Sequence, residues 1–457
     1  MAKIRENGAE QPYIKAGIFK IRIPLIHYKW EWSEAFQGIL MCATCLGAIP
    51  VLTDVLGVSF EIAWSMVIIN GLLYNLHSLL GDPVVPGWIT PSIPLTTAYL
   101  VDNYAIGVER TQALIALQLL LSLVFLVLGA TGGAGKIMKK VPNSIKGGII
   151  LGAGLSAIIG EIKLDGGRFN VYPIAVTIGT LVAFYLLFSD SFYKLKQRNR
   201  TAYMIGKFGM LPAIIVAIIV GPLTGEVPVP QIELGSIIKI PDFAGIINNV
   251  SVFGVGFPGL DLFIAAIPTV IMIYIIAFGD FVTSEALIGE ADEIRKDEKI
   301  DFNPNRSNIV SGIRNLIEGS FIPYVPLCGP LWSAVTAAVA TRYKDGREAM
   351  DSIFSGIGTF RWMTFISVAL VPVVTLVQPV LPVALSLTLL VQGFVCVRLA
   401  MDTVKTETEK GVAGVMATIL AIKGAAWGLA VGIILHVLLI ASKKGKDIVS
   451  TEGEVEV

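Results

Sequence analysis

Charge is scarce in this 457-residue chain: Asp, Glu, Lys and Arg make up 15% of it, and 35 basic side chains balance 35 acidic ones. An ordinary soluble domain carries about 25% charged residues. The balance excludes a nucleic-acid partner or an acidic substrate surface recognised by bulk charge. Only four cysteines and three histidines are present. Cys42 and Cys45 form a CxxC, yet zinc takes four ligands and no His or Cys cluster accompanies the pair, so both read as packing thiols and no metal site is assigned. HExxH, GxSxG and paired aspartates on neighbouring apolar runs are missing, which argues against an enzyme. The cluster Gly132-Gly133-Ala134-Gly135-Lys136 fails as a phosphate loop: the first glycine position is Ala130, and Ile137 follows Lys136. The first thirty residues lack an apolar core with a small-residue cleavage site. From Ile14 to Trp32 they read as an amphipathic segment at the membrane interface, or as plain linker.

What is abundant is apolar side chain, at 54%. Runs fall near residues 34–56, 58–80, 87–101, 109–130, 144–162, 171–190, 204–223, 260–282, 306–324, 329–341, 352–376, 379–401, 410–422 and 424–441. Most approach the ~20 residues that cross a bilayer. The fold class is therefore an all-α polytopic membrane protein of about fourteen spans. Lys and Arg gather in alternate loops, at 136–146, 194–200, 295–306, 342–347 and 405–410, and again at Lys443, Lys444 and Lys446. The positive-inside rule then places both termini in the cytoplasm of an inner or plasma membrane.

Two of the runs are short and broken by proline: Pro91-Ser92-Ile93-Pro94-Leu95-Thr96 and Leu327-Cys328-Gly329-Pro330-Leu331-Trp332-Ser333. Proline needs no amide partner in the first turn of a helix, so Pro94 and Pro330 are each expected to begin a half-helix with free N–H groups. They stand third in two sets of seven spans divided by the loop near 226–259. An odd number of spans per set makes the halves inverted repeats, and a matched pair of broken spans points to a transporter's binding site.

Four stretches, FQGILMCATCLGAIPVL from Phe36, VPNSIKGGIILGAGLSAII from Val141, IPTVIMIYIIAFGDFVTSEAL from Ile267 and the region from Asn308 to Arg342, resemble the nucleobase-ascorbate transporter family of uracil and xanthine permeases. They are similar more distantly to the sulfate permeases of the same seven-plus-seven fold. The resemblance implies an ion-coupled permease and domain bounds: 34–140 and 260–378 as a core domain, 141–225 and 379–441 as a gate domain, 226–259 as an outer loop, and 1–33 and 442–457 as cytoplasmic ends. It also implies a homodimer in the bilayer, a small-molecule substrate, and no cofactor beyond a coupling H+ or Na+. Substrate would lie near Thr90, Ser92, Ile93, Thr96, Ile276, Cys328, Gly329, Trp332 and Ser333, with Gln37 from span 1. Asp280 and Thr283 are the expected ion-coupling residues.

The chain departs from that family where a base would be held. The span-8 glutamate position is Ile276, and the span-10 carboxylate position is Ser333. Two helix N-termini then remain, each with unsatisfied N–H donors and about half a positive charge, a setting that suits a small anion as well as a nucleobase-like ring. Ser92 and Ser333 are donors to a ligand or local helix caps. Asp280 follows a nearly unbroken apolar run and is either a coupling group or a structural carboxylate. Arg314 and Glu318, four apart, read as a same-face pair. Gly148, Gly152 and Ala153 read as helix-contact residues. An uncoupled channel and a non-transporting membrane scaffold are the readings from other classes.

Overall fold

A computed structural model describes residues 5–164, 167–207 and 210–441. Asp165 and the expected cytoplasmic tail 442–457, with its three lysines, lie outside the described residues. Among the described residues fourteen helical segments build the array, with shorter helices such as Asp190–Arg198, Arg200–Lys207 and Val371–Val377 between them: α1 Trp32–Leu56, α2 Phe60–Leu79, α3 Ser92–Asn103, α4 Val108–Thr131, α5 Asn143–Ile162, α6 Pro173–Phe188, α7 Leu211–Leu223, α8 Leu260–Ile294, α9 Pro304–Phe321, α10 Ser333–Lys344, α11 Ile353–Val368, α12 Leu381–Thr403, α13 Glu407–Lys423 and α14 Ala425–His436.

Local chemistry sets these limits. Gly57 takes the left-handed conformation (φ 73°) that ends α1, and the Ser59 hydroxyl accepts from the Ile62 amide to start α2. Asn303 caps α9 through the amides of Asn305 and Arg306, at 3.0 and 3.1 Å, with Pro304 as first residue. Thr406 and Glu409 form a reciprocal capping box on α13. Helix α8 runs on to Ile294, so Asp280 sits mid-helix rather than at the end of the apolar run.

The packing obeys the two-fold exchange of an inverted repeat. Helix α1 packs on α11 as α8 packs on α4, and α2 packs on α11 as α9 packs on α4. Helix α5 packs against α12 and α13, and α6 against α7 and α12. A Cβ at Gly148 would stand 2.6 Å from Met416 Sδ, and one at Gly152 3.0 Å from Leu420, so small residues let α5 and α13 approach closely.

Residues ahead of α1 fold back against the protein. They form a strap over the protein, with a hairpin of β1 Ile14–Ala16 and β2 Phe19–Ile21. Arg5, Gln11, Arg22, His27 and Tyr28 are buried. Arg5 pairs with Asp297 at 2.8 Å and Glu298 at 3.4 Å, and Lys20 with Asp301 at 2.7 Å. The acids of the 295–301 loop thus capture cations of the strap. On the other side, the 226–259 loop is pinned by the Lys239 amide on Ala369 O (2.8 Å) and by a Lys239–Glu61 ion pair.

Candidate functional site

The two interrupted segments meet. Ahead of α3 and α10 the chain is extended, and strands β3 Gly87–Trp88 and β4 Cys328–Gly329 pair antiparallel, Gly87 opposite Gly329 and Trp88 opposite Cys328. The ladder is lengthened by Ile89 N to Leu327 O at 2.9 Å and Trp332 N to Val85 O at 2.6 Å. Glycine is required at this crossing: a Cβ at Gly87 would lie 2.8 Å from Leu331 O, and one at Gly329 2.9 Å from Ile89 N. Gly87 and Cys328 stand 241 residues apart, as do Ser92 and Ser333, the first residues of two twelve-residue half-helices.

That register corrects the expected role of the prolines. Pro94 is the third residue of α3, whereas Pro330 lies before α10 in the extended piece, so the two are not equivalent. Lacking an N–H, Pro330 adds no bond to the ladder beyond Gly329.

The helix starts also differ from the expectation of two bare ends. At α3, Ser92 N donates to Ile89 O (2.8 Å), Ile93 N donates to Thr90 O (3.1 Å), and Pro94 has no donor. The Ser92 hydroxyl donates to Ile89 O at 2.7 Å, and the residue is fully buried. At α10 the first helical bond is Thr336 N to Trp332 O, and among the described residues nothing accepts from the amides of Ser333, Ala334 and Val335. Ser333 and Ala334 are exposed. One start is closed on itself, and the other is open.

The other expected site residues differ in burial and in partners. Thr90 is half-buried, Ile93 is buried in the apolar core, and the buried Thr96 hydroxyl has no hydrogen-bond partner among the described residues. Ile276 belongs to the same apolar core. Gln37 and Asp280 are half-buried with no hydrogen-bond or ion-pair partner among the described residues. Thr283 donates to Gly279 O at 2.9 Å within its own helix. Trp332 is half-buried and meets Phe360 edge-on at 5.9 Å.

Behind β4 lies a buried polar network that extends the Arg314–Glu318 pair well beyond one helix face. The two charges are 3.9 Å apart. Arg314 Nη1 donates to Gly329 O at 3.3 Å and lies 3.3 Å from His77 Nε2. Glu318 accepts from the Cys328 thiol at 2.7 Å and from Gln118 at 3.1 Å, and Asn315 donates to Cys328 O at 3.1 Å. Asp82 holds His77 at 2.8 Å and Ser307 at 2.6 Å. Cys328 therefore faces this network rather than a cavity.

A second arginine is placed close by. The Arg361 guanidinium, from α11, stacks 4.0 Å from the centre of the Tyr74 ring and 5.1 Å from that of Trp332. The sequence signal was a lone charge inside an apolar run, which in a membrane span marks function by default. Its neighbours come from α1, α2 and α10, so no spacing could have grouped them.

Two antiparallel interrupted spans crossing inside a symmetric helix array define a polytopic all-α membrane protein of the seven-plus-seven inverted-repeat fold. Solved structures with this architecture include the transmembrane domain of a cyanobacterium bicarbonate transporter, BicA, at 15% identity and TM-score 0.48, covering 91% of this chain and 97% of that one. The murine Solute Carrier 26 family member A9 anion transporter in its inward-facing state gives 16% identity and TM-score 0.49, covering 90% and 68%. A structure of SLC26A9 gives 15% identity and TM-score 0.54, covering 89% of this chain and 64% of that one, and the likeness of fold rests on it. Scans of the sequence against family models and curated proteins give no match. The first of these is a bicarbonate transporter and the second an anion transporter; the likeness shows the fold, and the nucleobase-ascorbate family is not shown.

Proposed function

We propose that this chain is a secondary active transporter of a small anion. The observation that carries the reading is the open start of α10: three unaccepted amides and the Ser333 hydroxyl at the crossing of two interrupted spans. Such a helix start attracts negative charge through its donors and dipole. The anion reading is favoured over a nucleobase-like ring because Ile276 and Ser333 stand where carboxylates would grip ring N–H groups. In this reading α1–α4 with α8–α11 form a substrate-carrying core that shifts against a gate of α5–α7 with α12–α14. Asp280, an unpaired carboxylate in α8, couples the movement to H+ or Na+. Both termini are cytoplasmic, and the protein is a homodimer.

The test is uptake into proteoliposomes of formate, bicarbonate, sulfate and chloride against uracil and xanthine, under imposed H+ or Na+ gradients. Saturable, gradient-driven uptake of at least one anion is expected, with no uptake of either base. Saturable uracil or xanthine uptake with silent anions overturns the anion reading. Unsaturable flux that ignores the gradient assigns the chain to the channels.

A further inference from the structure

Two arginines approach the ring of Tyr74, Arg314 at 4.5 Å and Arg361 at 4.0 Å. Arg314 is occupied by Gly329 O, His77 and Glu318. Arg361 differs: it is 1% exposed, and among the described residues no carboxylate, carbonyl or hydroxyl oxygen accepts from its Nε, Nη1 or Nη2. It also meets the Phe360 ring, the thiol of Cys45, a weak hydrogen-bond partner, and the like charge of Arg314. A guanidinium buried without a counter-charge is costly. The nearby acids cannot supply one: Glu318 is engaged by Arg314, Cys328 and Gln118, and Asp82 by His77 and Ser307.

Geometry narrows what does supply it. The Tyr74 and Trp332 rings flank the guanidinium carbon at 4.0 and 5.1 Å, which leaves its N–H groups as the donors for a ligand. Edge donors form a flat fork that matches a planar acceptor with two oxygens, whereas a halide engages such a fork at a single point. Trp332 is the residue that caps α10, which joins this fork to the open helix start.

We propose that Arg361 is a specificity-determining residue, its edge binding a planar oxyanion of the carboxylate or bicarbonate type beside Trp332 and the start of α10. The proposal rests on the anion reading and deepens it by naming the ligand class. Trp332 forms the wall shared by the two sets of donors.

The experiment measures binding of formate, acetate and chloride to the purified full chain by calorimetry and thermal shift, for wild type, Arg361→Met and Arg361→Lys. Wild type is expected to bind formate at least tenfold more tightly than chloride. Arg361→Met, which keeps the bulk and removes the charge, is expected to weaken formate at least tenfold without lowering the melting temperature of the anion-free protein. Arg361→Lys keeps the charge but not the fork, and is expected to bring the formate-to-chloride ratio near one. If Arg361→Met fails to fold, the lysine variant decides by that ratio. An unchanged ratio in Arg361→Lys, or unchanged formate affinity in Arg361→Met, overturns the role of Arg361 and leaves the anion reading standing. A wild type that binds no anion overturns both.

Discussion

The half-helices α3 and α10 share length, register and an antiparallel crossing, yet they present different chemistry. The start of α3 bonds its amides and its serine hydroxyl to its own preceding turn. The start of α10 leaves amides and serine free, while the strand before it is held from behind by Arg314, Asn315 and Glu318. The two-fold repeat thus reproduces a backbone and not a site. One copy serves as a closed abutment, and the other offers donors, with a charged network keeping its strand in place so that the donors stay open.

The largest expected effect comes from that network. Arg314→Met strands the Glu318 carboxylate in a fully buried position, and a loss of about 3–5 kcal/mol is expected, read as a fall in melting temperature or in the yield of folded protein. Stability close to wild type shows that β4 needs no support from behind and that the two crossings are held alike. Next is the crossing itself. Gly329→Ala puts a methyl against Ile89 N and is expected to cost about 1–3 kcal/mol, whereas Gly135→Ala, with nothing within 4 Å, changes stability by about 0.5 kcal/mol or less. Equal melting temperatures for the two variants contradict the close backbone approach.

The serines sharpen the contrast directly. Ser92→Ala removes a buried hydrogen bond and is expected to cost about 1 kcal/mol of stability with anion affinity held within about twofold. Ser333→Ala is expected to do the reverse, weakening the anion by roughly tenfold, the weight of one hydrogen bond to a charged group, at unchanged melting temperature. Matching effects from both serines mean that the two starts are chemically equivalent. The smallest effect lies in the N-terminal strap. The hydrogen bond from Arg295, with Arg5 alongside, holds the Asp297 carboxyl below its usual range. Its contribution is therefore present above about pH 4 and lost as acid protonates it, so melting temperature falls below about pH 4 more gently in Arg5→Met than in wild type. Parallel pH profiles for the two proteins show that the strap's ion pairs are not linked to stability. Glu298 moves oppositely, because burial raises its carboxyl, so this acid opposes the trend.

The break in each repeat was legible because proline and glycine interrupt apolar runs that otherwise reach spanning length. Legibility stopped at the register. Pro94 and Pro330 look equivalent in sequence, but the backbone aligns Ser92 with Ser333, because strand pairing and not proline spacing sets where each helix begins. Arg314 and Glu318 were legible as a pair through their four-residue spacing, while their hold on Cys328 and Gly329 was not. Asp280 ends an apolar run in the sequence, yet the helix continues past it, where Glu285, Ala286, Leu287 and Glu290 are strong helix formers.

Composition and periodicity by themselves determined that this chain is a many-spanned helical membrane protein with two interrupted segments, since lipid leaves the backbone few ways to satisfy its hydrogen bonds. Tertiary structure alone decided which interrupted segment keeps free donors and which arginine lacks a counter-charge. Whether a donor is free depends on acceptors brought from helices far apart in the chain, and a linear sequence carries no record of those distances.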